Sequence, residues 1–138
     1  MEQLLLFFLG ERLYALEVGR IQEILDAPLR HYLPRAPRHF LGAVNFRGSI
    51  LPLLDLAGFL GRRAAASDHR VIVLPTSICA VALAVTAVQG IIRVEEALLG
   101  EAAPAPGADL CSRGEHDSEG RKFHLLDLGQ VIARLDKG

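Results

Sequence analysis

The chain has 138 residues, 51% of them hydrophobic, with 15 basic residues against 16 acidic ones and a formal charge of −1. A composition this apolar builds a packed core and excludes the disordered class, and so even a charge balance excludes the electrostatic footprint of a nucleic-acid binder. The length fits one domain, or two very small ones sharing a core.

Short apolar runs bounded by Gly, Pro, Asp and Ser recur, and no long 3.6-residue period does, so the sequence predicts many short strands. In chain order these are 3–9, 12–17, 21–25, 42–46, 50–55, 70–74, 78–85, 90–93 and 121–126. Gly10-Glu11 and Arg47-Gly48-Ser49 read as hairpin turns. Two short helices are predicted, over 56–60 after Asp55 and over 128–135 after Asp127, each Asp placed as an N-cap. The proline-bearing stretch 28–37 and the Ala/Pro/Gly stretch 100–110 read as loops, and 62–68 as a junction between halves.

"LLLFFL" over 4–9 lacks a basic flank, and no apolar run approaches the ~18 residues that span a bilayer. The expectation is a cytoplasmic protein without membrane insertion. Cys79 and Cys111 belong to no Cys-x-x-Cys pair, and small buried hydrophobes in a reducing compartment are expected.

An internal repeat organises the chain. "ALEVGRIQEIL" from Ala15 matches "ALAVTAVQGII" from Ala82, 67 positions on; "RGSILPLLDL" from Arg47 matches "EGRKFHLLDL" from Glu119, 72 positions on. Each half is then a barrel-sized unit of about five short strands. The expected division is 12–66 and 67–138, with strand 3–9 possibly shared, and a binding groove between the halves. What fails to repeat is informative. Glu23 meets Gly90, Asn45 meets Asp117 and Arg47 meets Glu119. An ion pair that the barrel itself required would stand in both copies, so Glu23 and Arg47 are assigned a task specific to the first half.

No phosphate loop, dinucleotide fingerprint or nucleophile elbow is present, and the five histidines are scattered. "EHD" at 115–117 sits in the charged stretch "SRGEHDSEGRK", which reads as a solvated hairpin tip rather than a metal site. Asp55 and Asp127 read as caps rather than as paired catalytic carboxylates. No catalytic residue, cofactor or metal is assigned. A small-ligand barrel, with His116 and His124 as its hook, is the competing idea.

"GAVNFRGSILPLLDL" (42–56), "YALEVGRIQEIL" (14–25), "LPRAPRHFLGAVNFRG" (33–48) and "LLDLGQVI" (125–132) together resemble the signature segments of CheW-like domains, over nearly the whole chain. The resemblance implies an all-β fold, 1–138 as a single domain of two SH3-like five-stranded barrels around a shared core. It implies a chemotaxis adaptor that catalyses nothing and couples the cytoplasmic tips of chemoreceptors to the regulatory domain of a CheA-type histidine kinase; relatives in pilus-linked or other chemosensory-like pathways share the motif. Carried onto this chain, it places Glu23 and Arg47 at the receptor-binding groove, with Ile21, Gly42 and Gly48 as neighbours. A receptor helix is expected to lay its apolar face on Ile21 and Val44. Phe46 stands where Leu is usual, and "GEHDSEGR" replaces a shorter segment, which leaves the role of 113–121 open.

Overall fold

The structure, a computed structural model, describes residues 1–26, 28–62, 70–99 and 111–136. Most of the expected junction 62–68 and all of the expected loop 100–110 lie outside these. Strands β1 (Glu2–Leu9) and β2 (Arg12–Glu17) form a hairpin, followed by a 3-10 turn at Val18–Arg20. Strands β3 (Glu23–Asp26), β4 (Arg30–His31), β5 (Phe40–Phe46) and β6 (Ser49–Asp55) lead into helix α1 (Leu56–Phe59). Then come β7 (Arg70–Val73), β8 (Ala82–Val85), β9 (Ala87–Val94), α2 (Glu96–Leu99), β10 (Ser112–Ser118), β11 (Arg121–Leu126) and α3 (Leu128–Asp136).

The strands form two curled sheets, one in the order β10-β11-β2-β1-β9 and one in the order β3-β7-β8-β6-β5-β4. These are the two SH3-like barrels. Their make-up differs from the expected division at residue 67. One sheet uses the continuous stretch from β3 to β8, and the other joins β1 and β2 to β9, β10 and β11. The exchange follows from two parallel pairings. β11 pairs with β2 through His124–Tyr14 and Leu125–Ala15, and β6 pairs with β8 through Leu53–Ala82 and Leu54–Leu83. Each half of the sequence repeat thus lends its hairpin to the other half's strand.

This arrangement accounts for the apolar runs. In β1, Leu4 and Leu6 point into one barrel, while Leu5, Phe7 and Leu9 point into a core that both sheets share. In β7 and β8, Val71, Val73, Ala82 and Ala84 fill the other barrel, while Ile72, Leu83 and Val85 join the shared core. Strands buried on both faces lose the polar alternation of a one-sided strand.

The repeat is visible in backbone detail. The β5–β6 turn has Arg47 at φ 50° and Gly48 at φ 85°, and the β10–β11 turn has Glu119 at φ 53° and Gly120 at φ 79°. Both are two-residue turns with positive φ throughout, the geometry that matches strand twist. Asp55 N–H donates to His39 O at 2.8 Å, and Asp127 N–H donates to Cys111 O at 2.6 Å. Both aspartates cap as expected. Asp55 Oδ1 accepts from Gly58 N–H at 3.2 Å and Asp127 Oδ1 from Gln130 N–H at 3.1 Å. Asp127→Ala is expected to cost about 1 kcal/mol, seen as a lower urea midpoint at unchanged slope.

Three expectations need correcting. The strand expected over 78–85 begins only at Ala82, because Ile78 and Cys79 N–H both donate to Pro75 O in a tight turn. The loop 28–37 contains the short edge strand β4, paired with Val44 and Ala43. The charged stretch taken as a hairpin tip is a full strand, β10, with only Glu119 and Gly120 at the tip. Cys111 is buried, Cys79 is partly buried, and neither forms a disulfide.

Candidate functional site

Arg47 occupies the first position of the β5–β6 turn. A non-glycine residue at positive φ there costs about 1–2 kcal/mol, so the conformation is held by its surroundings. Asn45 Oδ1 accepts from Gly48 N–H at 3.0 Å and pins the turn. The guanidinium carbon lies 4.9 Å from the centre of the Phe46 ring. Its Nη2 is 3.5 Å from Glu23 Oε1.

That last contact defines where the site lies. Glu23 begins β3, and three strand spacings separate β3 from β6 in the sheet order. A flat sheet would hold them about 14 Å apart. The contact is made because the sheet curls, so Glu23 and Arg47 meet across the mouth of one barrel. The Arg47 side chain is 67% exposed and that of Glu23 42% exposed. A pair this open stabilises the fold by only about 0–1 kcal/mol. Its physical product is a guanidinium held in place by a carboxylate and an aromatic face, with most of its donors still facing outward.

The other expected site residues divide. Ile21 is half-buried against the shared core, its N–H donating to Val18 O at 3.1 Å. Gly48 is exposed, and a Cβ there would meet nothing within 4 Å. Gly42 is buried at φ 132°, where a Cβ would lie 2.5 Å from the backbone oxygen of His31. Its glycine is therefore required for β4 to lie against β5. Val44 is fully buried, packed with Leu51, Leu53, Val71 and Val73 inside the barrel. It cannot receive a partner's apolar face; period-two alternation on β5 turns it inward. Neither of two surface cavities, of about 730 and 290 Å³, is lined by any of the six residues. Sequence reasoning passed over Phe46, which braces Arg47, and Ile50, 58% exposed and paired with Asn45 beside the turn. The aromatic next to the arginine and the apolar residue next to Ser49 were the available signals.

Among the described residues, no group of three or more His, Cys, Asp and Glu side chains could hold a metal ion, and no helix is long and apolar enough to cross a membrane. His116 stacks on Phe123 with ring centres 5.6 Å apart. His124 Nε2 lies 3.6 Å from Glu115 Oε2.

Residues 3–136 match the CheW-like domain family. The chain belongs to that family. A probable chemotaxis protein CheW of Rhizobium etli is 30% identical over 139 residues, covering 97% of this chain and 89% of that protein. Protein PilI of Pseudomonas aeruginosa is 38% identical over 55 residues, 40% of this chain and 31% of its own length. Among solved structures, the scaffolding protein TtCheW of Thermoanaerobacter tengcongensis superposes with a TM-score of 0.77 at 25% identity, covering 91% of this chain and 88% of that one. The CheW-like domain described here is thus a scaffold or adaptor of the chemotaxis type, with the two-barrel fold of its family.

Proposed function

We propose that this CheW-like domain joins the cytoplasmic tip of a chemoreceptor to the regulatory domain of a CheA-type histidine kinase, and that Arg47 is its receptor-facing anchor. One observation carries the assignment of Arg47. The two hairpin turns share one backbone, yet Arg47 stands where the second has Glu119, and among the described residues Arg47 pairs with Glu23 across the barrel mouth. The guanidinium would donate to acceptors on a receptor helix and set its register, with Ile21 and Ile50 offering apolar area nearby. No catalytic role is assigned, and partners of this kind place the domain in the cytoplasm. The test is co-sedimentation with a receptor fragment and the kinase from the same organism, with kinase activity read in parallel. A ternary complex and altered kinase activity are expected. No complex with any receptor of that organism would end this reading.

The stretch shared with protein PilI favours a second placement for the same adaptor role, in a pilus-linked or other non-flagellar pathway. Running the assay with receptors and kinases of both systems separates the two: the true pathway gives the complex.

A further inference from the structure

The cavity of about 730 Å³ belongs to the other sheet and shares no residue with the Arg47 site. Its wall brings together parts of the chain far apart in sequence. Glu11 and Arg12 come from the β1–β2 hairpin, Arg62 from just beyond α1, Gln89 from β9, and Arg121 and Lys122 from β11. Among the described residues, four cations and one acid line the cavity. The strand register makes the crowding unavoidable. β11 runs parallel to β2, with His124 beside Tyr14 and Leu125 beside Ala15, so Lys122 near the start of β11 and Arg12 at the start of β2 lie toward the same end of the sheet. Neighbouring cations on one wall repel unless a negative charge joins them. Asp117, the cross-strand neighbour of Lys122 on β10, lies outside the lining. Arg12 is the informative member. Its Nη1 is buried and has no hydrogen-bond partner among the described residues. A buried guanidinium nitrogen without an acceptor is costly, and structures avoid it where a partner exists.

We propose that this cavity binds a small anion carrying two or more phosphoryl groups, of nucleotide or pyrophosphate size. Guanidinium forks match phosphoryl oxygens two at a time, and several converge on one space here. The volume lies within the range of small-ligand sites. A phosphoryl chain packs several negative charges into that volume, whereas a peptide carries at most one carboxylate side chain per residue along an extended backbone. The surplus of cations over acids among the described lining residues favours the phosphoryl chain. Arg121 and Lys122, which looked like the solvated end of a hairpin, would then be one wall of a binding site. This inference does not depend on the receptor-facing role of Arg47.

The test is a titration of the intact chain with pyrophosphate, ATP and orthophosphate, followed by calorimetry and by amide shifts in NMR. Saturable binding of pyrophosphate or ATP is expected, with shifts centred on Arg12, Gln89 and Lys122. Tighter binding of ATP points to a nucleotide; equal binding points to the phosphate chain alone. Lys122→Glu, at an exposed position, is expected to weaken binding about ten-fold or more at an unchanged melting temperature. Arg12→Gln should do the same, and Arg47→Ala should leave binding as it is. The proposal is overturned by an absence of saturable binding, by undiminished binding in folded Lys122→Glu, or by tighter binding of a hexaglutamate peptide than of pyrophosphate.

Discussion

Gly42→Ala is expected to lower the unfolding free energy by about 3 kcal/mol, or roughly 10 °C in melting temperature for a chain of this size. Two effects add at this position. The backbone sits at φ 132°, which side chains with a Cβ rarely adopt. The new methyl carbon would also lie 2.5 Å from His31 O, a backbone atom of the paired strand β4, which cannot rotate away as a side chain could. Relief requires β4 to shift off β5. Gly48→Ala is the control. It meets only the φ penalty, since nothing lies within 4 Å of its Cβ, and should cost about 1–2 kcal/mol. Chemical denaturation of both variants checks the reading; equal losses would contradict it. A partner-binding loss in Gly42→Ala would then reflect a damaged barrel, not a lost contact.

Arg47→Asn is expected to act in the opposite sense on stability. Asn tolerates positive φ, and Asn-Gly is a favoured pair for this turn, so the variant should gain about 0.5–1 kcal/mol. The lost ion pair subtracts little, because it is mostly exposed. Receptor binding should nonetheless fall about ten-fold or more, as a charge-assisted donor is removed.

The sequence was most legible where one local rule acted alone. Asp55 and Asp127 marked α1 and α3 through capping, and Gly10 and Gly48 marked tight turns. Strands β1, β2, β6 and β11 were read to within about one residue, because their inner faces are continuously apolar. Strand β10 was missed because edge strands carry polar residues, which guard against unwanted pairing. The repeat held the missing signal. Carrying β5 forward by the 72-residue offset lands on Ser112–Ser118. The exchange of hairpins between halves could not be read this way, since a repeat shows which strands are equivalent and not which pair. Glu23 and Arg47 were named from what failed to repeat, and they do meet. Val44 was misplaced because its inward direction depends on β5 register.

The barrel needs the turn, and the proposed role of the arginine is to meet a partner. Arg47→Asn and Glu119→Asn make the same change at two turns of matching backbone, at φ 50° and φ 53°. The decisive measurement is receptor-fragment binding of both variants beside wild type, with unfolding measured on the same samples. The expected result is that both variants are as stable as wild type or more so, and that only Arg47→Asn loses binding. Equal binding by the two variants, or a binding loss in Arg47→Asn that merely follows a loss of stability, would contradict the account.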